Sequence, residues 1–180
     1  MQDFPPIQTK RLTLRPFQAD DLDFTFQHFS DPQVAQYLLD EPPVTDMSQA
    51  QEIVQFYLDS EDKPYNRWVI VTKADGLRIG TCGFHKWNKN HQRAEIGYDL
   101  SPKAWGQGYM QEALHAAIQF GFVQMNLHRI EALVYPENTR SLHLLNKLGF
   151  KQEGTLRDYF YLDGKFYDHI VLSLLKTSEI

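Results

Sequence analysis

Gly106 and Gly108 stand at a spacing that suits the holding of a phosphate group. They lie in AEIGYDLSPKAWGQGYMQEA, residues 94–113, where a strand-like run, Ala94–Leu100, meets a Ser-Pro turn, the glycine pair, and a helical pattern that opens at Tyr109. Glycine removes the side chain where a backbone must turn sharply and where another group must come close. The first turn of a helix offers N–H groups with no partner inside the helix, and its dipole favours an anion there. Strand, glycine turn and helix start therefore make a phosphate cradle.

Two familiar cradles do not fit. A Walker A loop ends in Gly-Lys-Ser/Thr, since its lysine neutralises the outer phosphates, and no such tripeptide occurs. A dinucleotide fingerprint needs a third glycine for helix–sheet packing, and that place is held by Gln111. The segment Trp105-Gly106-Gln107-Gly108-Tyr109-Met110 instead resembles the pyrophosphate motif Q/R-x-x-G-x-G/A of the GNAT N-acetyltransferase superfamily. It is most similar to the RimJ/RimL-like branch, whose segment looks like E-I-G-Y-x-L-x-x-x-x-W-G-x-G-Y-A-x-E-A. Trp105 in place of Gln/Arg is common in that branch; Met110 in place of a small residue departs from it and bears on the cradle floor.

Two further blocks carry the same resemblance. NTRSLHLLNKLGF, Asn138 to Phe150, looks like the family's N-x-x-S-x-x-L-x-x-x-G-F. Its physics is legible alone: Leu142, Leu145 and Leu148 recur at helical spacing, and Gly149 is placed to stop the helix in a left-handed conformation. The closing segment from Glu153 to Leu175 resembles the branch's final hairpin, with Asp163-Gly164 as its turn. The resemblance runs from Thr9 to Leu175.

It implies an α+β (mixed α/β) acyl-CoA N-acyltransferase fold, whose mixed central sheet splays between its fourth and fifth strands, Ala94–Leu100 and Arg129–Val134. It implies acetyl-CoA as co-substrate, with the pantetheine arm in the splay beside the backbone of Leu100. The pyrophosphate then rests on the N–H groups of Gly106, Gln107, Gly108, Tyr109, Met110 and Gln111. Asn138 is expected to bind the CoA arm. The acceptor it implies is a primary amine, at branch level a protein N-terminus of ribosomal-protein type. A polyamine or an amine-bearing antibiotic is the alternative, and a non-catalytic acyl-CoA sensor is a third reading.

Acetyl transfer needs a neutral amine, donors for the oxyanion, and a proton for the leaving thiolate. Glu95 is the candidate general base, directly or through a water. Its other reading is a structural carboxylate paired with Arg93 or another cation. A backbone N–H near Leu100 is the candidate oxyanion donor. Ser141 is the candidate donor to the CoA sulfur; its other reading is a helix cap, a duty that Asn138 or Thr139 can also fill. Tyr159, Tyr161 and His169 could line the acceptor pocket, although strand aromatics more often serve packing. The acidic group Asp20, Asp21 and Asp23 opens a helix, where the macrodipole favours it, or attracts a cationic acceptor.

Composition sets the frame. The chain has 180 residues, 42% hydrophobic and 23% charged, within the range of one globular domain spanning 1–180. Lys+Arg 18 against Asp+Glu 23 gives a net charge of −5, which argues against nucleic acid and suits a cationic acceptor. The one cysteine, Cys82, cannot form an internal disulfide or a cysteine zinc site, and no H-E-x-x-H pair exists, so no metal is expected. No membrane-length apolar run or signal-peptide core is present, which leaves a cytoplasmic protein as the expectation. An exposed strand edge leaves room for a homodimer.

The elements that must position these residues read as follows. Leu12–Arg15 alternates as a strand. Asp20–Phe29 and Gln33–Leu39 read as short helices, and Ser48 is placed to cap a third running to about Ser60. Trp68–Thr72 and Arg78–Lys86 form a hairpin around Asp75-Gly76. Tyr109–Val123 is a helix that turns Met110, Ala113, Leu114, Ala117 and Phe120 to the sheet.

Overall fold

The computed structural model describes residues 4–38, 42–59 and 64–176. Its strands are β1 (Ile7–Gln8), β2 (Leu12–Pro16), β3 (Trp68–Thr72), β4 (Arg78–Asn88), β5 (Arg93–Leu100), β6 (Arg129–Val134), β7 (Lys151–Leu162) and β8 (Lys165–Leu175). They form one sheet in the order β1-β2-β3-β4-β5-β6-β8-β7. All neighbours are antiparallel except β5 and β6, which run parallel. The short β1 is an addition to the strands expected from sequence, so the expected fourth and fifth strands are β5 and β6.

The helices are α1 (Leu22–Phe29), α2 (Pro32–Ala35), α3 (Met47–Leu58), α4 (Tyr109–Val123) and α5 (Thr139–Lys147). Two boundaries differ from expectation. α2 is a single turn, capped by the Asp31 carboxylate on the Gln33 N–H, and stops at Ala35; residue 39 is outside the described residues. α3 is capped by Asp46, which accepts the Gln49 N–H at 3.0 Å. Asp46 has the extended backbone that a cap needs, whereas Ser48 lies within the first turn. The expected end at Ser60 falls outside the described residues.

Side chains alternate across β5. Ala94, Ile96, Tyr98 and Leu100 join the larger core with Ala113, Leu114, Ala117 and Phe122 of α4 and Leu145 of α5. Glu95, Gly97 and Asp99 take the opposite face, where α1 and α3 pack over Val69 and Phe17.

The feature that matters for function is where β5 and β6 part. They pair only at Arg93–Arg129, Ala94–Ile130 and Glu95–Glu131. Beyond Glu95, β5 stays bound to β4 as far as Leu100, and β6 stays bound to β8 as far as Val134. Each strand keeps its outer neighbour and loses the inner one. The result is a wedge-shaped gap whose β5 wall has no strand partner on that side from Ile96 to Leu100.

Candidate active site

At the open end of the gap, β5 passes through a short turn, Pro102–Ala104, into the glycine pair. Gly106 has φ +73° and Gly108 has φ +75°, both in the left-handed region that strains residues with a Cβ. Gly108 caps α4, so the first-turn N–H groups of the helix point past it. A Cβ on Gly106 would meet no protein atom within 4 Å, so the space beside it is open. Met110 does not disturb this surface, because its side chain is buried beneath the helix in the core. Gln107 is exposed and bonds only to the Lys103 carbonyl through its side chain; its contribution to the cradle is backbone.

The loop is clamped from the far end of the sequence. The Arg11 guanidinium donates to the Gln107 carbonyl at 2.9 Å and to Glu112 at 2.7 Å, and lies 4.5 Å over the Tyr109 ring. The Arg11 N–H and the Thr9 hydroxyl also donate to Glu112. Burial acts to raise the Glu112 carboxyl, but these donors hold it below its usual value, so it is ionised. A carboxylate in the first turn of α4 would repel a diphosphate; Arg11 cancels that charge while fixing the loop. An Arg11→Met variant should therefore weaken the binding of a diphosphate at this loop about 10-fold in a calorimetric titration, the worth of one charged hydrogen bond. A cavity of about 400 Å³ opens beside this clamp, lined by Arg11, Gly108, Gln111, Glu112, His115 and Leu148. No residue of β5 or β6 lines it, so it adjoins the cradle and not the gap.

Two hydroxyls meet across the gap. Tyr98 of β5 and Ser141 of α5 lie 2.6 Å apart, oxygen to oxygen. Burial pushes the Tyr98 hydroxyl above the usual phenol value, against a smaller pull from Ser141, so the pair keeps its protons at neutral pH. Ser141 is free for this contact because Asn138 caps α5, accepting the Ser141 N–H at 3.2 Å. Further up, the Trp105 indole donates to the Leu100 carbonyl at 2.8 Å, and Arg140 lies 4.3 Å over the Trp105 ring. These contacts tie the start of α5 to the end of β5. They also occupy one acceptor site on Leu100.

Glu95 sits at the foot of the gap, the last β5 residue paired with β6. Its carboxylate is 3.0 Å from Lys86 Nζ. Burial acts to lower the Lys86 ammonium, but Glu95 and the Tyr159 hydroxyl hold it above its usual value. Arg93, the other candidate partner, pairs with Glu131 instead, which Arg129 also holds. Of the two carboxylates side by side at the foot, Glu95 is the less neutralised. Glu95 and Ser141 are not brought together: Tyr98 is three residues on from Glu95, about 10 Å at strand rise, with its side chain on the other face. The closing hairpin brings Tyr159 and His169 together, with ring centroids 6.2 Å apart, and leaves Tyr161 away from them. Tyr159 reaches Lys86, His169 is buried with its ring 4.6 Å from that of Phe160, and Tyr161 is exposed against Phe166 near the hairpin tip.

Behind β5 lies a buried ionic group. Asp99 accepts from His28 Nε2 at 2.6 Å, from the Thr81 N–H at 2.9 Å, from the Thr81 hydroxyl at 2.7 Å, and from Arg67. Burial would raise its carboxyl, but Arg67, His28 and Thr81 hold it far below the usual carboxylate range. The acidic residues of the first helical region are likewise engaged: Asp21 is buried between Arg15 and Arg78, and Asp20 also pairs with Arg78. Ion pairing, more than the macrodipole, accounts for these two, while Asp23 lies in the first turn of α1, where the macrodipole favours it. Burial pushes the Cys82 thiol up to about 12, which suits packing and not nucleophilic attack.

Tyr98 and Arg11 were missed by sequence reasoning. The alternation of β5 carried a usable signal for the first, since residues 95 and 98 must face opposite sides. Nothing local announces Arg11, whose partner Glu112 is 101 residues away.

Comparison with known proteins agrees with this geometry. Residues 11–151 match the family model described as acetyltransferase (GNAT) domain. The uncharacterized N-acetyltransferase p20 of Bacillus licheniformis is 46% identical over 171 residues, 94% of this chain and 96% of that protein. The [ribosomal protein uS5]-alanine N-acetyltransferase of Escherichia coli is 43% identical over 79 residues, 44% of this chain and 41% of that protein. Among solved structures, spermidine N-acetyltransferase from Vibrio cholerae, in complex with CoA and spermine, superposes with a TM-score of 0.81 at 25% identity, covering 93% of this chain and 96% of that one. Among the described residues, no helix is long and apolar enough to cross a membrane. With glycine cradle, parted strands and family match in agreement, the chain belongs to the GNAT acetyltransferases.

Proposed function

We propose that this chain moves an acetyl group from acetyl-CoA to the N-terminal amine of a protein, of the ribosomal type acted on by RimJ/RimL-like enzymes, by direct attack within a ternary complex. The observation that carries the reading is the parting of β5 from β6 immediately beside a left-handed glycine pair at a helix start. The two features fit two parts of one molecule. The first-turn N–H groups of α4 suit the pyrophosphate. The unpaired wall of β5 suits the amide-rich arm, which can pair with it as an added strand would. Ser141, at the start of α5, meets Tyr98 of the β5 wall, and Asn138 caps the same helix.

In this scheme Glu95, about 10 Å along the strand from Tyr98, takes the proton that the attacking amine must lose through a chain of waters, with Lys86 orienting its carboxylate. As the carbon–nitrogen bond forms and the carbon–sulfur bond breaks, the Tyr98–Ser141 pair gives a proton to the departing thiolate. A backbone N–H of the β5 wall near Leu100 holds the oxyanion. Tyr159, next to Lys86, lies on the acceptor side.

Ser141→Ala and Tyr98→Phe should each lower kcat by about 10- to 100-fold, at or below the lower end of the usual general-acid contribution. KM for acetyl-CoA should stay within about twofold. The double variant should lose little more than either single one, because the two hydroxyls act as a unit. Wild-type turnover in both variants would remove the pair from the mechanism. A Glu95→Gln variant should lose turnover at neutral pH and regain part of it at high pH, where more of the amine is already neutral.

A polyamine acceptor is the second reading. The Tyr135 ring lies 5.9 Å from Tyr37 and 5.6 Å from Tyr167, and the Lys165 ammonium already lies 4.9 Å over Tyr167. Such rings attract ammonium groups. The Vibrio cholerae relative was solved with spermine.

A further inference from the structure

The Glu95 face of β5 carries an imidazole held in one protonation state. A Cβ on Gly97 would fall 2.6 Å from His85 Nε2 and 3.1 Å from Arg67 Nη1. The two side chains thus lie directly on the β5 backbone, two residues past the last β5–β6 pair and over the lip of the gap. Arg67 Nη1 is 3.1 Å from His85 Nε2. Its Nε donates to the Thr81 hydroxyl at 2.8 Å, and its Nη2 donates to Asp99. A guanidinium can only donate, so Nε2 must accept, and the ring proton sits on Nδ1. Burial, together with the Arg67 and Lys86 charges and against the pull of Asp99, lowers His85 to about 3, so the ring is neutral under working conditions. Its one basic lone pair is spent on Arg67. His85 is therefore a fixed donor and no base. Its Nδ1 has no hydrogen-bond partner among the described residues, and the residue is only partly buried. His85 is also the register partner of Glu95 across the β4–β5 pair, on the same sheet face.

We propose that the His85 Nδ1–H binds the carbonyl oxygen next to the reacting amine, making this chain selective for α-amino acyl acceptors, such as a peptide N-terminus, over alkyl polyamines. The inference rests on the acetyl-transfer reading and deepens it by assigning a specificity residue. An α-amino acyl group carries an acceptor oxygen two bonds beyond its α-carbon. A polyamine carries only donors, leaves Nδ1–H unpaired, and brings a second positive charge toward Arg67 and Lys86. A site whose donor is left unpaired discriminates strongly.

The test compares three amines under saturating acetyl-CoA: a tetrapeptide with a free N-terminal alanine, its analogue with the first carbonyl reduced to methylene, and spermidine. In wild type, kcat/KM for the peptide should exceed that for the reduced analogue by about 10- to 100-fold, the range for one unpaired donor. His85→Leu should erase this ratio by lowering the peptide value alone. His85→Gln should keep most of it, because its carbonyl can accept from Arg67 and its amide can donate. If His85→Leu fails to fold, Gly97→Ala, which drives the ring off the strand, should lower the ratio in its place. Turnover of the analogue or spermidine at the peptide's efficiency, or an unchanged ratio in His85→Leu, would overturn the role of His85 and leave acetyl transfer standing. Absence of turnover with all three amines, in a protein that binds CoA, would overturn the transfer reading and this inference with it.

Discussion

Replacing Asp99 by alanine should destabilise the fold by about 3–5 kcal/mol, the usual cost of removing one partner from a buried ion pair. Asp99 and His28 are both nearly sealed from solvent, and four donors converge on the one carboxylate. Its removal leaves the buried Arg67 charge uncompensated. It also leaves the Thr81 N–H and hydroxyl without their acceptor, and water cannot readily replace it. Thr81→Ala should cost much less, about 1 kcal/mol for a neutral hydrogen bond. Urea denaturation of the two variants measures both values; equal, small losses would show that the ionic group is not a structural unit.

The same group makes stability depend on pH. The folded state holds Asp99 below the value it has in the unfolded chain, so its contribution is complete above about pH 4 and fades as the solution is made more acid. His85 acts in the same direction over a higher range. The unfolded chain takes up its proton near pH 6.5, while the folded chain refuses it until about 3. Stability should therefore fall from pH 6.5 downward, by about 1 kcal/mol per pH unit from this residue. The melting temperature of wild type should drop between pH 6.5 and 4.5, and His85→Gln should flatten that slope.

The second large effect is expected at the cradle. A Gly108→Val variant must leave the left-handed region at the residue that caps α4. The nearest atom to an added Cβ is Arg11 Nη2 at 3.5 Å, an ordinary contact, so the damage is to backbone geometry and not to packing. The first-turn N–H groups lose their common aim. If two charged hydrogen bonds to the pyrophosphate are lost, at about 1.5 kcal/mol or more each, CoA affinity should fall roughly 100-fold. Gly76, at φ +70° in the turn between β3 and β4, is the control. Gly76→Val carries similar backbone strain far from the cradle and should leave CoA affinity unchanged by calorimetry. Equal losses in both variants would mean that strain, and not the aim of the N–H groups, governs binding.

How much of this was legible in the chain follows from the range of each interaction. The glycine pair, the start of α4 at Tyr109 and the stop of α5 at Gly149 depend on a few neighbouring residues, and local spacing carried them. The gap between β5 and β6 came from resemblance, because nothing in either strand states where pairing ends. Cap positions were fragile where two candidates lay close, as Asp46 and Ser48 did; the structure chose the one with extended backbone. The group of Asp99, Arg67, His28, Thr81 and His85 joins α1 to three strand regions through contacts 14 to 71 residues apart, and no window of sequence contains it. Lys86 as the partner of Glu95 was foreseen only as an unspecified cation. A bulge between His85 and Asn88 breaks the register there, which hides the pairing from simple alternation.

Amide resonances followed while coenzyme A is titrated into the labelled protein give the most direct trial of the account. Saturable shifts should concentrate on Gly106, Gln107, Gly108, Tyr109, Met110 and Gln111, with a second group at Asn138 and Ser141 across the gap. A spectrum that stays unchanged at millimolar coenzyme A, or one that moves elsewhere while these eight amides stay still, would contradict it.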